Sequence, residues 1–325
     1  MKYFVTGGAG FIGSNYVRGL LDGRWGNSVS GVTVFDAFTY AGNPHNLDSV
    51  SSDPRLTVVK GDIRVQEEIL PALADHDVIV HFAAESHVDR SIESSSVFIS
   101  TNVLGTQQLL ESAIQAEVAT FIHVSTDEVY GSIDSGSWDE NEPLLPNSPY
   151  AASKASSDLI ARSYFRTHGL DVRITRCSNN FGPYQFPEKV IPLFITNLIE
   201  GKNVPLYGDG GNVRDWLHVD DHCRGIDLVV NGGRAGEVYN IGGGTELSNK
   251  ELTFMLLSQF GFGEEKIDRV ADRLGHDRRY SVDWTKINRE LGYSPQESLG
   301  TSLSGIVEWY RGNPGWWQPL KSGRK

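Results

Sequence analysis

Short, largely unbroken apolar runs alternate with longer amphipathic stretches through the first half of the chain. "YFVTG", "VTVFD", "LTVVKGD", "DVIVHFAA", "TFIHVS" and "DVRITRCSN" are rich in Val and Ile and predict strands buried on both faces. Between several of them lie stretches with helical spacing, such as "NVLGTQQLLESAIQ" and "SPYAASKASSDLIARSYFRTHG". Strands alternating with helices predict a parallel sheet joined by right-handed crossovers, a doubly wound α/β fold. Beyond about residue 176 the pattern becomes irregular, with Pro- and Gly-rich sequence from "FGPYQFPEKVIP" to "VPLYGDGGN". A further strand, "EVYNIGGG", is expected to return to the main sheet. The last stretch, "EWYRGNPGWWQPLKSGRK", holds three of the seven Trp residues and reads as aromatic packing of a terminal helix.

Composition narrows the partners. The 325 residues carry a net charge of −12, which offers no basic surplus for nucleic acid. Cys177 and Cys223 give neither a disulfide framework nor metal-ligand spacing, so no metal is expected and a reducing compartment fits. The start "MKYFVTGGAG" runs straight into a strand and a glycine turn, and no apolar run approaches about 18 residues. A cytoplasmic protein without a membrane partner is expected.

The first chemistry sits in "TGGAGFIGS", where Gly7, Gly10 and Gly13 follow the first strand and open a helix. Glycines there let the backbone approach a pyrophosphate, and the helix N-terminus supplies N–H groups for it. Asp36 ends the second strand 23 residues after Gly13. A carboxylate there accepts both ribose hydroxyls and repels a 2′-phosphate, favouring NAD over NADP. Asp62 follows the next strand and is placed to bond adenine's amino group, while Ala83 and Ala84 leave room for ribose and phosphates. The pattern is that of a Rossmann-type NAD-binding domain followed by a smaller substrate-binding α/β domain. The expected division is 1–175 plus about 213–242 for NAD, and about 176–212 plus 243–325 for substrate.

"SPYAASK" places Tyr150 and Lys154 four apart, on one helical face, after a Ser148–Pro149 helix start. A phenol has a pKa of about 10, and bringing it to about 7 takes roughly 4 kcal/mol of differential stabilisation. Lys154 with a positive nicotinamide ring supplies charge of that sign, making Tyr150 a base for a hydroxyl proton. Upstream, "STDEVYG" sets Asp127 and Glu128 side by side past a buried strand, where packing alone gives no reason for an acid pair.

The set "TGGAGFIG", "HFAAESHVDRS", "STDEVYG", "PNSPYAASKA", "RCSNNFGPYQFPEK", "PLYGDGGNVRDWLHV" and "DRLGHDRRY" resembles the dTDP-glucose 4,6-dehydratases of the extended short-chain dehydrogenase/reductases. The match runs from Lys2 to about Trp317, and the compact length is similar to the short actinomycete forms. Ser178 and Phe181 stand where that family more usually has Cys and Tyr.

The resemblance implies conversion of dTDP-glucose to dTDP-4-keto-6-deoxy-glucose and water, in deoxysugar and antibiotic biosynthesis. Tyr150 takes the C4 hydroxyl proton with Thr126 steadying that oxygen, Glu128 removes the C5 proton, and Asp127 protonates the departing O6. NAD carries hydride from C4 to C6 and is regenerated. Phe11, Ile12, Ala37, Thr39, Ile63, Phe82, Ser86, Thr101, Ser125 and Asn180 are further cofactor candidates. For the nucleotide sugar the implied residues are Ser86, Asn179, Lys189, Val190 and Asn249, with Pro205, Leu206 and Tyr207 framing the base. Arg214, Arg273, His276 and Asp277 complete the set at the phosphates.

Rival readings remain. A 4-epimerase uses the Tyr and Lys but needs no acid pair. A decarboxylase expects an arginine beside the carboxylate, and a dehydratase for another nucleotide sugar fits Asp36, "PLYGDG" and "DRLGHD" less well. A non-catalytic NAD-binding protein tends to lose the Tyr or the Lys. The helices around Gln107 to Ile114 and Tyr150 to Tyr164 have apolar faces suited to a homodimer interface.

Overall fold

The computed structural model describes residues 1–25, 28–272 and 275–323. A seven-stranded sheet carries β1 (Lys2–Thr6), β2 (Gly31–Asp36), β3 (Leu56–Lys60), β4 (Val78–His81), β5 (Thr120–Thr126) and β6 (Asp171–Cys177), with β10 (Val238–Ile241) at one edge. Its order is β10-β6-β5-β4-β1-β2-β3, and every pair is parallel. All seven runs read as strands from the sequence are strands of this sheet.

Alternate residues along each strand feed opposite faces. Tyr3, Val5, Val34, Val80 and Ile122 pack with Tyr16, Val17 and Leu20 of the helix Phe11–Asp22, and with Ile226 and Val229 of the helix Val219–Gly232. Phe4, Phe35, Ile79 and Phe121 face the other way, onto Ile69, Leu109, Leu110 and Ala161 from the helices Gln66–Leu73, Thr106–Gln115 and Pro149–His168. Both faces are thus covered. The strand order reverses between β1 and β4, and the carboxyl ends there form the crevice in which such sheets bind ligands.

The stretch that reads as irregular folds into two small sheets. β7 (Asn179–Phe181), β9 (Val213–His218) and β11 (Glu246–Ser248) form one, ordered β11-β9-β7; β8 (Val204–Tyr207) pairs with β12 (Ile267–Val270) in the other. Four of these five strands have only three or four residues and lie among Pro205 and nearby glycines, too little periodicity to be read from sequence. Their helices, Val190–Ile199, Asn249–Ser258 and Leu299–Gly312, close a separate core around Trp216, Leu256 and Trp317.

The helix predicted from "NVLGTQQ" begins differently, with a π-helical turn over Ile99–Gly105 before the α-helix. Asn102, 1% exposed, accepts the Glu85 N–H at 2.8 Å and donates to the Glu85 carbonyl at 3.0 Å. The widened turn thereby locks the segment after β4 against the helix. No helix among the described residues is long and apolar enough to cross a membrane.

Candidate active site

The glycine turn closes the carboxyl end of β1. Gly7 sits at φ +66°, and a Cβ added there would lie 2.7 Å from the Ala83 nitrogen. At Gly13 an added Cβ would fall 2.3 Å from the Gly7 carbonyl oxygen. Backbone cannot yield as a side chain can, so the turn admits no larger residue at either place. The helix Phe11–Asp22 starts at Gly10 with no side-chain cap, an end available to an anion.

Asp36 is buried at the end of β2. Its Oδ2 accepts the Ala9 N–H at 2.9 Å and its Oδ1 the Phe38 N–H at 2.8 Å. Burial raises its carboxyl, and these two bonds pull it back. A carboxylate offers about four lone-pair directions, so two remain for a diol. Asp62 is held by Arg64, Nε to Oδ1 at 3.0 Å, which draws its carboxyl below the ordinary value. Every cofactor candidate lines one open cavity of about 390 Å³: the glycines, Phe11, Ile12, Asp36, Ala37, Thr39, Asp62, Ile63, Phe82, Ala83, Ala84, Ser86, Thr101, Ser125, Tyr150, Lys154 and Asn180. The uncapped helix end, the glycine cradle and the Asp36 carboxylate fit a dinucleotide with an unphosphorylated ribose.

The acid pair follows β5 directly. Thr126 caps the short turn Asp127–Tyr130, its side chain accepting the Glu128 N–H at 3.3 Å, and its hydroxyl donates to Asp127 Oδ1 at 3.2 Å. Asp127 is 1% exposed, and among the described residues its Oδ2 has no hydrogen-bond partner. Burial first, then the charges of Glu128 and Asp215, push its carboxyl well above the ordinary value. The shift favours the protonated carboxyl. Glu128 is half-buried at the junction of this cavity with a second one.

Tyr150 and Lys154 stand on the helix Pro149–His168, which Ser148 caps by accepting the Ala151 N–H at 3.1 Å. Lys154 Nζ donates to the Val124 carbonyl at 2.8 Å; burial lowers its pKa and Asp158 partly restores it. Burial, then Glu128, Cys177 and Asp127, push the Tyr150 phenol well above its ordinary value. In the chain alone Lys154 does not bring the phenol down, so that work falls to a further positive charge in the cavity.

The second cavity, about 210 Å³, is lined by Asn179, Lys189, Val190, Pro205, Leu206, Tyr207, Arg214, Asn249, His276 and Asp277. It shares Glu128, Asn179, Glu188 and Lys189 with the first. Lys189 Nζ donates to the Ser86 carbonyl at 2.9 Å across that junction. Arg214 reaches the Asp277 carbonyl at 2.9 Å and lies 4.2 Å from the Tyr280 ring centroid. The Asp277 carboxylate is already engaged by Asn147, at 2.6 Å, and by the Tyr280 hydroxyl. Arg273 lies outside the described residues. Ser178 donates to Asp215 Oδ2 at 2.6 Å, behind Asp127. Among the described residues no group of three or more His, Cys, Asp or Glu side chains is arranged to hold a metal ion.

Several residues at the site are not singled out by the sequence. Tyr280 and Glu188 fall within "DRLGHDRRY" and "RCSNNFGPYQFPEK" and line the substrate side. Behind Lys154, Asp158 is 1% exposed, accepts from Arg176 Nε at 2.9 Å and has its Oδ1 3.1 Å from His123 Nε2. Burial pushes Asp158 up, but His123 and Arg176 more than offset it and hold it at about 2. Asp158→Asn strands a buried guanidinium and is expected to cost about 3–5 kcal/mol in urea unfolding. The carboxyl's folded pKa lies below the unfolded value of about 3.9, so its contribution is present above that pH and lost as pH falls through about 2. A variant as stable as wild type at pH 7 would contradict this account.

Comparisons with known proteins agree on one group. The family described as GDP-mannose 4,6 dehydratase matches residues 4–304. A dTDP-glucose 4,6-dehydratase of Streptomyces antibioticus is 59% identical over 323 residues, 99% of this chain and 96% of the relative. Escherichia coli dTDP-glucose 4,6-dehydratase 1 is 46% identical, over 99% of this chain and 96% of the relative. Among solved structures, DesIV of Streptomyces venezuelae, a dTDP-glucose 4,6-dehydratase with NAD bound, has a TM-score of 0.98 and 63% identity, covering 98% of this chain and 100% of DesIV. A UDP-glucose 4-epimerase of Thermotoga maritima shares the fold at TM-score 0.88 with 31% identity, covering 97% of this chain and 100% of that one.

Proposed function

The chain belongs to the GDP-mannose 4,6 dehydratase family and groups there with the dTDP-glucose 4,6-dehydratases, and on that premise we propose that it converts dTDP-glucose to dTDP-4-keto-6-deoxy-glucose and water. The observation that carries the reading is the buried Asp127, its carboxyl pushed up, beside Glu128 where the two cavities meet. An epimerase needs no such pair. The step supplies a 4-keto-6-deoxy sugar for deoxysugar biosynthesis.

When bound, NAD supplies a hydride acceptor at C4, a hydride donor at C6, and a positive ring beside the Tyr150 phenol. Gly7, Gly10, Gly13 and the helix end hold its pyrophosphate, Asp36 its ribose diol, Asp62 its adenine, and Asn180 its nicotinamide end. Tyr150 takes the proton of the C4 hydroxyl while Thr126 holds that oxygen. The C4 ketone acidifies C5–H, and Glu128 removes that proton. Asp127 gives its proton to the C6 hydroxyl, which leaves as water. Glu128 then returns a proton to C5. One proton ends on Tyr150 and one is missing from Asp127, so the pair resets by exchange with solvent after product leaves.

On the substrate side Arg214, Lys189, His276 and Asn249 meet the diphosphate, and Tyr207, with Pro205 and Leu206, takes the thymine. Arg273 belongs to this set by its place in the motif. Asn179, Val190 and Ser86 contact the sugar, while Asp277 steadies Tyr280 and Arg214. The proposed NAD part is 1–175 with about 213–242 and the proposed sugar part about 176–212 with 243–325, and residues of both parts line each cavity. Two buried free cysteines suit the cytoplasm.

A homodimer completes the reading. Leu104 and Leu159 are 56% and 59% exposed on the helical layer formed by 99–115 and 149–168. A second copy covers this face, and Leu104→Glu with Leu159→Glu is expected to halve the mass seen by sedimentation equilibrium. A wild type already monomeric would contradict it.

The function is tested by mass spectrometry of dTDP-glucose incubated with the purified protein. Loss of one water is expected. An unchanged mass with added NAD present would overturn the assignment.

A further inference from the structure

The end of the chain, read from sequence as aromatic packing, reaches the cofactor cavity. The helix Pro314–Ser322 buries Trp317 completely, yet places Trp316 and Leu320 in the cavity wall. Trp316 Nε1 donates to Asn46 Oδ1 at 2.8 Å, across a sequence separation of 270. Asn46 is 2% exposed and also lines the cavity. Its Nδ2 donates to the Ala9 carbonyl of the glycine turn at 2.8 Å, and its own carbonyl accepts Arg18 Nη1 at 2.6 Å. One buried amide thus joins the turn, the first helix and the chain's end.

Tyr184 completes the wall. Its ring lies 4.4 Å from the Arg18 guanidinium carbon, with centroids 4.5 Å from Trp309 and 5.6 Å from Trp316. Its backbone stands at φ +65°, a region a bulky side chain occupies only where its surroundings hold it there. None of Asn46, Tyr184 and Trp316 belongs to the strand, glycine turn and helix that make the dinucleotide site in such folds.

We propose that Asn46, Tyr184 and Trp316 form a third wall of the dinucleotide site, clasped from the C-terminal helix, that keeps NAD bound from one turnover to the next. The inference rests on the NAD-dependent reading above. It meets a chemical need of that reading: hydride taken from C4 must return to C6 of the same sugar, and a reduced cofactor that escaped would strand an oxidised intermediate. The wall crosses between two parts of the chain, so cofactor release requires the terminal helix to lift away from Asn46.

The test measures how fast bound NAD leaves the purified protein. Protein saturated with NAD is freed of excess cofactor by gel filtration, and the NAD still bound is quantified over time after acid release. Trp316→Phe keeps a ring but loses the N–H, and is expected to release NAD about fivefold faster, the worth of one hydrogen bond. Trp316→Ala, losing the ring as well, should exceed about tenfold. Circular dichroism of both variants checks that the fold is kept, and the Phe variant decides the matter if the Ala variant does not fold. Release from both variants at the wild-type rate would overturn the clasp. A wild type that never takes up NAD would instead overturn the cofactor reading itself.

Discussion

Asp127→Asn is expected to lower water loss from dTDP-glucose by about two to four orders of magnitude, the usual worth of a placed general acid. Asparagine keeps the side chain's shape and still accepts the Thr126 hydroxyl, so little structure is lost. What disappears is a carboxyl whose protonated form burial and the neighbouring charges favour. The earlier steps need only Tyr150 and Glu128, and both remain. In D2O the Asp127→Asn protein should therefore return dTDP-glucose carrying deuterium at C5, with no product. Glu128→Gln should give neither dehydration nor C5 exchange. Wild-type turnover by Asp127→Asn, or C5 exchange undiminished in Glu128→Gln, would show that the two roles are assigned wrongly.

Tyr150→Phe should remove C4 oxidation, and with it every later step, for a loss of about two to four orders of magnitude in turnover. The ring packs edge-on against Phe98 with centroids 6.3 Å apart, and phenylalanine preserves that contact, so stability is expected to change little. C5 exchange in D2O should vanish along with product, which separates this variant from Asp127→Asn. A base acts only when deprotonated, and burial and Glu128 push this phenol up, so the wild-type rate should rise with pH. The contradicting result is a Tyr150→Phe protein that still exchanges C5 at the wild-type rate.

The main sheet was legible because a strand buried on both faces must be largely apolar, and five such runs precede residue 178; the sixth, β3, reads the same way although as the edge strand it is largely exposed, Val58 at 47%. The cofactor crevice was legible for a related reason: Gly7, Gly13, Asp36 and Ala83 fall at strand ends that a parallel sheet gathers on one side. Long-range polar pairing was not. Asp158 and Leu159 are adjacent on one helix, with the acid 1% and the leucine 59% exposed, a placement that residue type alone does not give. Nothing local announces that Arg176 and His123 will receive Asp158. Trp316 escaped for the same reason, since its partner Asn46 lies 270 residues away.

The central claim is that hydride removed from C4 is delivered to C6 of the same sugar inside one closed site. Its most direct test is turnover of dTDP-glucose carrying deuterium at C4, with the product examined by NMR. The account predicts a 4-keto-6-deoxy sugar with that deuterium on the C6 methyl group, undiluted by solvent hydrogen. Deuterium still at C4, in a sugar of unchanged composition, would mean epimerisation and would contradict it.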